Sequence, residues 1–452
     1  MLKKIGLVVL FLAFYCSRVS AQGGDQAGNT KIAKWQNDKK AAVSLTYDDN
    51  TINQFRVALP IMDKYGFKGT FYVITGSVPG SKNHPKFIGR PVDEIIAETA
   101  NIPTNKDNFF ERASAVRFLG YANTYQYHLK AGGLYENGQI QKAYKVIDTA
   151  YAKVRHGDFK PSTDSAEVAK ALYNVLYVDP GTDLITWDKL EKYQKEGNEF
   201  GSHSISHPYL AVLDSVNLRY ELEKSKEEIR DRLGRKATFS AECPFGTEDP
   251  RVMRFAHRLY PSLRNRMPRP YLTELDRASD DSPLTSNKEY VQWQRGPLSD
   301  TPMSLMKSWV DTSLKSDNIW LTIVIHGVEG VGWEPLSKEE LNDYFGYIKD
   351  HEKNLWVATF KNVTKYMRER MNGNVKTKMQ GNQMTVSVTH SLKDDRYNLP
   401  LTLKTYLPAG WDKARIKQGS QILEGTVKED AQGRYIQYQA VPNQSDVVLS
   451  KI

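Results

Sequence analysis

Four short stretches of this 452-residue chain bring together residue types that do chemistry: Asp48-Asp49, His203-Ser204-Ile205-Ser206-His207-Pro208, Glu242-Cys243-Pro244-Phe245-Gly246 and His326. Two adjacent carboxylates repel, so setting both at the end of a buried strand is costly unless a cation or a proton separates their roles. Asp-Asp-Asn is also good turn chemistry. Two histidines four apart lie on one face of a helical turn and can share a single metal ion. A Pro-Phe-Gly turn can aim a backbone N–H into a cleft, although most such turns are only turns. His326 follows the apolar run Leu321 to Ile325, where an imidazole costs desolvation unless it has a partner or a task.

Considered together, these groups make a coherent set. One aspartate and two histidines form a nitrogen and oxygen ligand set suited to Zn²⁺ or a similar divalent ion, with coordination left open. Such an ion acidifies water and polarises a carbonyl oxygen. The second carboxylate, Asp48, is then placed to accept the water proton, and His326 to donate one to a leaving group. The chemistry is metal-assisted hydrolysis of an amide or an ester.

Each stretch follows a strand-like segment. Ala41 to Tyr47 ends at Asp48; Phe55, Leu59, Met62 and Tyr65 then recur at helical spacing up to Gly66, and Phe71 to Ile74 is the next strand. Strand, helix and strand within about 30 residues make a βαβ unit, hence parallel pairing. The alternation resumes with a helix capped by Thr186, a strand at Glu199 to Ser202, and an amphipathic helix through Leu218, Leu222, Ile229 and Leu233. Ala237 to Ala241, Trp320 to Ile325 and Leu355 to Phe360 read as further strands, and Val363 to Met371 as a closing helix. Repeated βα units predict a parallel α/β barrel or doubly wound sheet, with its chemistry at the carboxyl ends of the strands.

Residues 77–182 interrupt this pattern with helical, tyrosine-rich sequence (Tyr121, Tyr125, Tyr127, Tyr135, Tyr144, Tyr151), read as an insertion or cap. Such aromatic residues could face a substrate, and helix-core packing explains them equally well. From 376 to 452 short alternating segments separated by Gly, Asn, Asp and Pro predict a small antiparallel β-sandwich-like domain.

Composition bounds the class. The hydrophobic fraction of 40% excludes wholesale disorder, and 30 Gly with 2 Cys exclude collagen-like and disulfide-rich scaffolds. Lys3 and Lys4, the apolar run Ile5 to Tyr15 and the small residues around Ala21 read as a secretory signal peptide over 1–21, cleaved after Ala21. Residues 22–37 read as a flexible lead-in to a catalytic unit over 38–372. Cleavage would remove three cations and lower the formal charge from +9 to +6. That excess is spread along the chain and does not suggest a nucleic-acid partner. Cys243 alone would remain, so no intramolecular disulfide is expected. No later stretch is long and apolar enough for a membrane span.

In order along the chain, Thr46-Tyr47-Asp48-Asp49-Asn50, His203 to Pro208, Pro244-Phe245-Gly246 and Ile325-His326 resemble the motifs of the polysaccharide deacetylase family, the NodB-homology domain of carbohydrate esterase family four. The resemblance covers roughly 40–76 and 183–370. It implies a distorted (β/α) barrel that removes acetyl groups from sugars. It also implies that Asp48 is the general base, that Asp49, His203 and His207 hold one divalent ion (Zn²⁺ ahead of Co²⁺ or Ni²⁺), and that His326 is the general acid. The backbone N–H of Phe245 would help hold the oxyanion.

The chain departs from the family at Glu242, where an arginine that pairs with the catalytic base is usual. Arg264 or Arg266 is the candidate substitute. Trp293 is the candidate for the pocket-shaping tryptophan, and Trp333 for the mouth of the pocket. O-acetyl groups on xylan-like polymers and N-acetyl groups on chitin-like or peptidoglycan sugars both fit this chemistry, with a dietary or environmental glycan preferred. The competing reading is a glycan-binding protein on an inactive deacetylase scaffold, with Glu242 as the visible defect.

Overall fold

A computed structural model describes residues 27–159, 184–271, 274–392 and 395–452. The segment read as a signal peptide lies outside the described residues. Among those described, no helix is long and apolar enough to cross a membrane.

Nine strands form one parallel sheet: β2 (Ala41–Tyr47), β3 (Thr70–Val73), β4 (Glu199–Ser202), β5 (Ser240–Ala241), β6 (Ser262–Leu263), β7 (Glu274–Leu275), β8 (Val291–Arg295), β9 (Ile319–Ile325) and β10 (Leu355–Val357). The order is β6-β5-β4-β3-β2-β9-β8-β7, with β10 beside the start of β2. Every side chain of β2 and β9 is buried, as expected of parallel strands covered on both faces. The sheet curls into a distorted barrel that stays open between β6 and β7. Side chains bridge this seam: Gln292 and Gln294 of β8 both donate to the carbonyl of Arg264, at 2.8 and 2.7 Å. The βαβ unit read around Gly66 is present, with α1 (Leu59–Tyr65) ended by Gly66 at φ 74°, a left-handed value that glycine adopts without penalty. The strand expected over Ala237 to Ala241 is only the two-residue β5, because Arg235–Thr238 forms a 3₁₀ turn.

The tyrosine-rich insertion holds α2 (Val92–Glu98), α3 (Phe109–Ala115), α4 (Tyr125–Glu136) and α5 (Ile140–His156). Tyr125 and Tyr151 are fully buried, and Tyr121, Tyr127, Tyr135 and Tyr144 pack on the insertion's own core. None of the six lines the central cleft. Packing, not sugar stacking, accounts for them.

At the other end two antiparallel sheets face each other. One has the order β11-β12-β18-β14-β15, from β11 (Gly373–Gln380), β12 (Gln383–His390), β14 (Ala414–Gln418), β15 (Gln421–Leu423) and β18 (Val447–Lys451). The other is β1-β13-β17-β16, from β1 (Thr30–Ile32), β13 (Leu401–Tyr406), β16 (Gly425–Asp430) and β17 (Gly433–Ala440). Their inner faces interleave Val386, Ile416 and Leu449 with Leu403, Ile436 and Tyr438, and Trp35, Trp356 and Phe360 carry the same core into the barrel. Residues 30–32, placed by sequence in a flexible lead-in, are instead a strand paired with β13 from Thr30↔Thr405 to Ile32↔Leu403. Trp35 just after it is fully buried. A three-residue strand with a polar flank carries no alternation to read, and its partner lies some 370 residues away.

Candidate metal centre and active site

Asp48 and Asp49 leave the end of β2 through a turn in which Asp49 has φ 74° and Asn50 φ 47°. Asn50 tolerates that conformation and also anchors the turn. Its Oδ1 accepts from Ile74 N at 2.8 Å, and its Nδ2 donates to Ser77 Oγ at 3.2 Å. Asp48 N continues the ladder to Ile325 O at 3.0 Å. Gln54 Nε2 donates to the carbonyls of both Asp48 (2.5 Å) and His326 (2.7 Å), tying the two strand ends together.

Asp49 is fully buried, and neither of its carboxylate oxygens has a hydrogen-bond partner. Its Oδ1 lies 3.5 Å from Nε2 of His203 and 3.5 Å from Nε2 of His207. Ligand atoms of all three lie within 4.8 Å of one another. His203 Nδ1–H donates to Glu242 O at 3.0 Å, which leaves the Nε2 lone pair facing Asp49, the tautomer a metal needs. Burial raises the Asp49 carboxyl and drives the His207 imidazole well below its ordinary value. For His203 burial acts downward, but the Asp49 carboxylate facing it and the nearby charge of Asp48 outweigh it and raise the imidazole. An unpaired carboxylate in the interior is expensive, and two imidazole nitrogens converging on it make a donor set that fits a divalent cation.

The spacing of His203 and His207 predicts a helical turn; the structure has none. Ser204 (φ 65°) and His207 (φ 53°) are both left-handed, and this strained turn brings the rings to 4.7 Å. Hydrogen bonds hold it: Thr75 N to Ser204 O (3.0 Å), His207 N to Ser204 Oγ (2.9 Å), and Ile205 N and Ser206 N to Glu221 Oε2 (2.9 and 3.0 Å).

The partner missing from the third motif comes from elsewhere. Arg264, one residue past β6, sends Nη1 to Asp48 Oδ1 at 2.9 Å and Nη2 to Asp48 Oδ2 at 2.6 Å. It also bonds Thr46 Oγ1 at 2.7 Å and pairs with Glu242 Oε1 at 3.0 Å. Arg266, the other candidate, turns away to Glu248 and Glu274. Burial alone would raise the Asp48 carboxyl, but Arg264, His203 and His326 outweigh it and hold it well below the usual carboxylate range. His326 Nε2 is 3.4 Å from Asp48 Oδ2. Burial, with Arg277 and Arg264 nearby, pushes His326 down to about 3 despite Asp48.

These groups floor a cleft of about 410 Å³ walled by Leu129, Phe245, Arg277 and Trp333. It runs into a second hollow of about 370 Å³ that shares Glu242, Phe245, Arg277 and Trp333. Phe245 sits in a left-handed turn (φ 62°), stacked on Tyr209 at 4.7 Å and edge-on to His207 at 4.6 Å. Trp333, 41% exposed, stands edge-on to His326 at 4.8 Å. Trp293 is not a pocket residue. It is 5% exposed in the barrel core beneath Arg295, and it lines neither hollow. Alternation inside β8 turns it away from the site. Sequence reading also missed Gln54, which ties the ends of β2 and β9 together from a helix, and Leu129 and Arg277, which reach the cleft from an insertion and a loop with no local pattern to mark them.

The sequence model of the polysaccharide deacetylase family matches residues 36–101 and 138–260. A gellan lyase from Bacillus sp is 22% identical over 272 residues, 56% of this chain, and the match spans only 11% of that protein's length. Among solved structures, a peptidoglycan N-acetylglucosamine deacetylase aligns over 72% of this chain and 92% of its own, at 12% identity and TM-score 0.33. A family 4 carbohydrate esterase from Bacillus anthracis aligns over 74% and 86%, at 12% identity and TM-score 0.30. At such scores the structural likeness decides nothing by itself, and the assignment rests on the sequence match with its motifs. Over residues 36–101 and 138–260 the chain is similar to the polysaccharide deacetylase family.

Proposed function

We propose that this chain is an exported, metal-dependent carbohydrate deacetylase that hydrolyses acetyl groups, as ester or amide, on a polysaccharide or oligosaccharide. The observation that carries this reading is the unpaired, buried Asp49 carboxylate facing Nε2 of both His203 and His207. Those three residues would hold one divalent ion, Zn²⁺ ahead of Co²⁺ or Ni²⁺. When bound, the ion supplies Lewis acidity to a water and to the acetyl carbonyl.

The protein's own groups do the rest. Asp48, kept ionised and oriented by the Arg264 fork, takes a proton from the attacking water as its oxygen adds to the acetyl carbonyl carbon. The Phe245 N–H is assigned to the growing negative charge on the carbonyl oxygen. His326 is neutral at rest because burial pushes it down to about 3. His326 Nε2 lies 3.4 Å from Asp48 Oδ2, placed to take up the proton that Asp48 has gained. His326 hands it to the sugar oxygen or nitrogen as the bond from that atom to the acetyl carbon breaks. Acetate and a free hydroxyl or amine leave. Trp333, edge-on to His326, limits how that ring can turn.

The deciding experiment measures acetate released by the purified protein from acetylated xylan and from N-acetyl chitooligosaccharides, each with and without a chelator. Release abolished by the chelator and restored by Zn²⁺ or Co²⁺ supports the reading, and the responding polymer separates ester from amide. Release indifferent to chelator and metal, or none from any acetylated glycan by metal-loaded protein, rejects it.

A further inference from the structure

The family match skips residues 102–137, which contain α3 and α4 of the insertion. That skipped segment is not remote from the site. Arg117, 5% exposed, donates from Nη2 to Ser206 Oγ at 2.6 Å and pairs through Nη1 with Glu221 Oε1 at 3.5 Å. Glu221 is the carboxylate that holds the amides of Ile205 and Ser206. Tyr125, the first residue of α4, donates its hydroxyl to the carbonyl of His207 itself at 2.8 Å. One turn on, His128 accepts at Nε2 from Tyr209 N at 2.9 Å. Its other nitrogen faces Ala113 O at 2.8 Å, and burial keeps the ring neutral by lowering it to about 3.

The same helix also shapes the cleft wall. Gly132 lies so close to Tyr209 that a Cβ there would sit 2.2 Å from its ring. Tyr209 stacks on Phe245, which meets His207 edge-on. Leu129 enters the cleft directly. At the far end of α4, Glu136 accepts from Thr247 Oγ1, just past the Pro-Phe-Gly turn.

We infer that residues 102–137 are a positioning brace for the His203–His207 turn, and that they set how firmly the site retains its metal. The physical reason is backbone strain. His207 at φ 53° is a non-glycine residue in the left-handed region, a strained conformation that persists only where neighbours over-determine it. Arg117, Tyr125 and His128 hold the turn at three successive points: Ser206, His207 and Tyr209. Without them His207 would relax to another backbone conformation and swing its Nε2 away from Asp49. Groups that orient a metal's ligands typically change affinity by about 10–100-fold when lost. This inference rests on the metal-site part of the proposed function, not on the reaction.

The test is metal affinity, measured by competition against a chromophoric chelator with Zn²⁺ and from the visible spectrum with Co²⁺, beside the thermal midpoint of each metal-free protein. Tyr125→Phe deletes one hydroxyl and keeps the ring; Arg117→Met removes the fork, and Arg117→Lys is the conservative partner. Tyr151→Phe is the control, because its hydroxyl makes an equally buried bond, 3.0 Å to Arg112 O, and bonds none of Ser206, His207 and Tyr209. We expect Tyr125→Phe and Arg117→Met each to weaken metal binding by about 10-fold, Arg117→Lys to recover part of the loss, and Tyr151→Phe to lower the midpoint without moving affinity. Wild-type affinity in folded Tyr125→Phe and Arg117→Met overturns the brace while leaving the proposed function standing. Variants that lose metal as expected, in a wild type that binds metal but releases no acetate, sustain the brace and remove the proposed function. A wild type that binds neither metal overturns both.

Discussion

Arg264 grips Asp48 with both terminal guanidinium nitrogens, at 2.9 and 2.6 Å, from the end of β6, while Glu242 stands where the resembled family usually has its arginine. The cation reaches Asp48 from a different strand end. Glu242 then becomes a second carboxylate on the same guanidinium, 3.0 Å from Nη2, so this departure leaves the base supported. Removing the cation should be severe: Arg264→Ala strands two buried carboxylates, a change on the order of 3–5 kcal/mol. Arg264→Lys keeps the charge but loses the fork, and we expect it to fold with kcat/KM lowered about 10²-fold by misplacement of Asp48. Arg266→Lys should stay within about 0.5 kcal/mol of the parent. Denaturant melts and acetate-release kinetics on the three variants decide it, and full activity in Arg264→Lys would remove the assigned role.

Asp48→Asn should separate chemistry from metal binding. The amide cannot accept the water proton, so turnover should fall by about 10²–10⁴-fold. Asp49, His203 and His207 remain, so bound metal measured on the same sample should stay at one per chain. Loss of both together would mean that Asp48 is a ligand instead.

The unpaired Asp49 oxygens predict an inversion of stability. Without metal, Asp49→Asn should equal or exceed the parent in stability, because the buried charge is gone. With Zn²⁺ at 100 times its Kd the parent should gain about 2.7 kcal/mol, and the variant almost nothing. Calorimetric scans with Zn²⁺ and with chelator test this. A parent whose midpoint ignores Zn²⁺ contradicts it.

Glu274 gives a pH dependence with a defined sign. Burial first, then the charge of Glu248, push its carboxyl up from 4.5 to about 8 against the pull of Arg266. The folded state therefore holds this proton more tightly than the unfolded chain does. Its contribution to stability is intact below pH 4.5 and is lost as pH rises to 8, at up to about 1.4 kcal/mol per pH unit. Glu274→Gln should thus match the parent at pH 4 and exceed it increasingly from pH 5 to 8. Parallel stability curves for the two proteins would show that the carboxyl titrates normally.

What could be read along the chain was whatever is local. Ala41 to Tyr47 and Leu321 to Ile325 are apolar runs ending at Asp48 and His326, and strands buried on both faces must look that way. Because chemistry in such folds gathers at strand ends, Asp48, Asp49, His203, His207 and His326 could be named before their distances were known. The family resemblance implied a cation beside Asp48 and offered Arg264 or Arg266 as the candidate. Only the tertiary structure decided between them, since one residue past β6 points into the barrel and the other two residues further along the turn points out to Glu248. It alone placed Trp293 in the core, joined Thr30–Ile32 to β13, and replaced a helical turn at His203–His207 with a strained one held by Arg117 and Tyr125. Those outcomes depend on contacts between segments tens to hundreds of residues apart, whose closure is set by the packing of the whole fold, and spacing within one segment carries no trace of them.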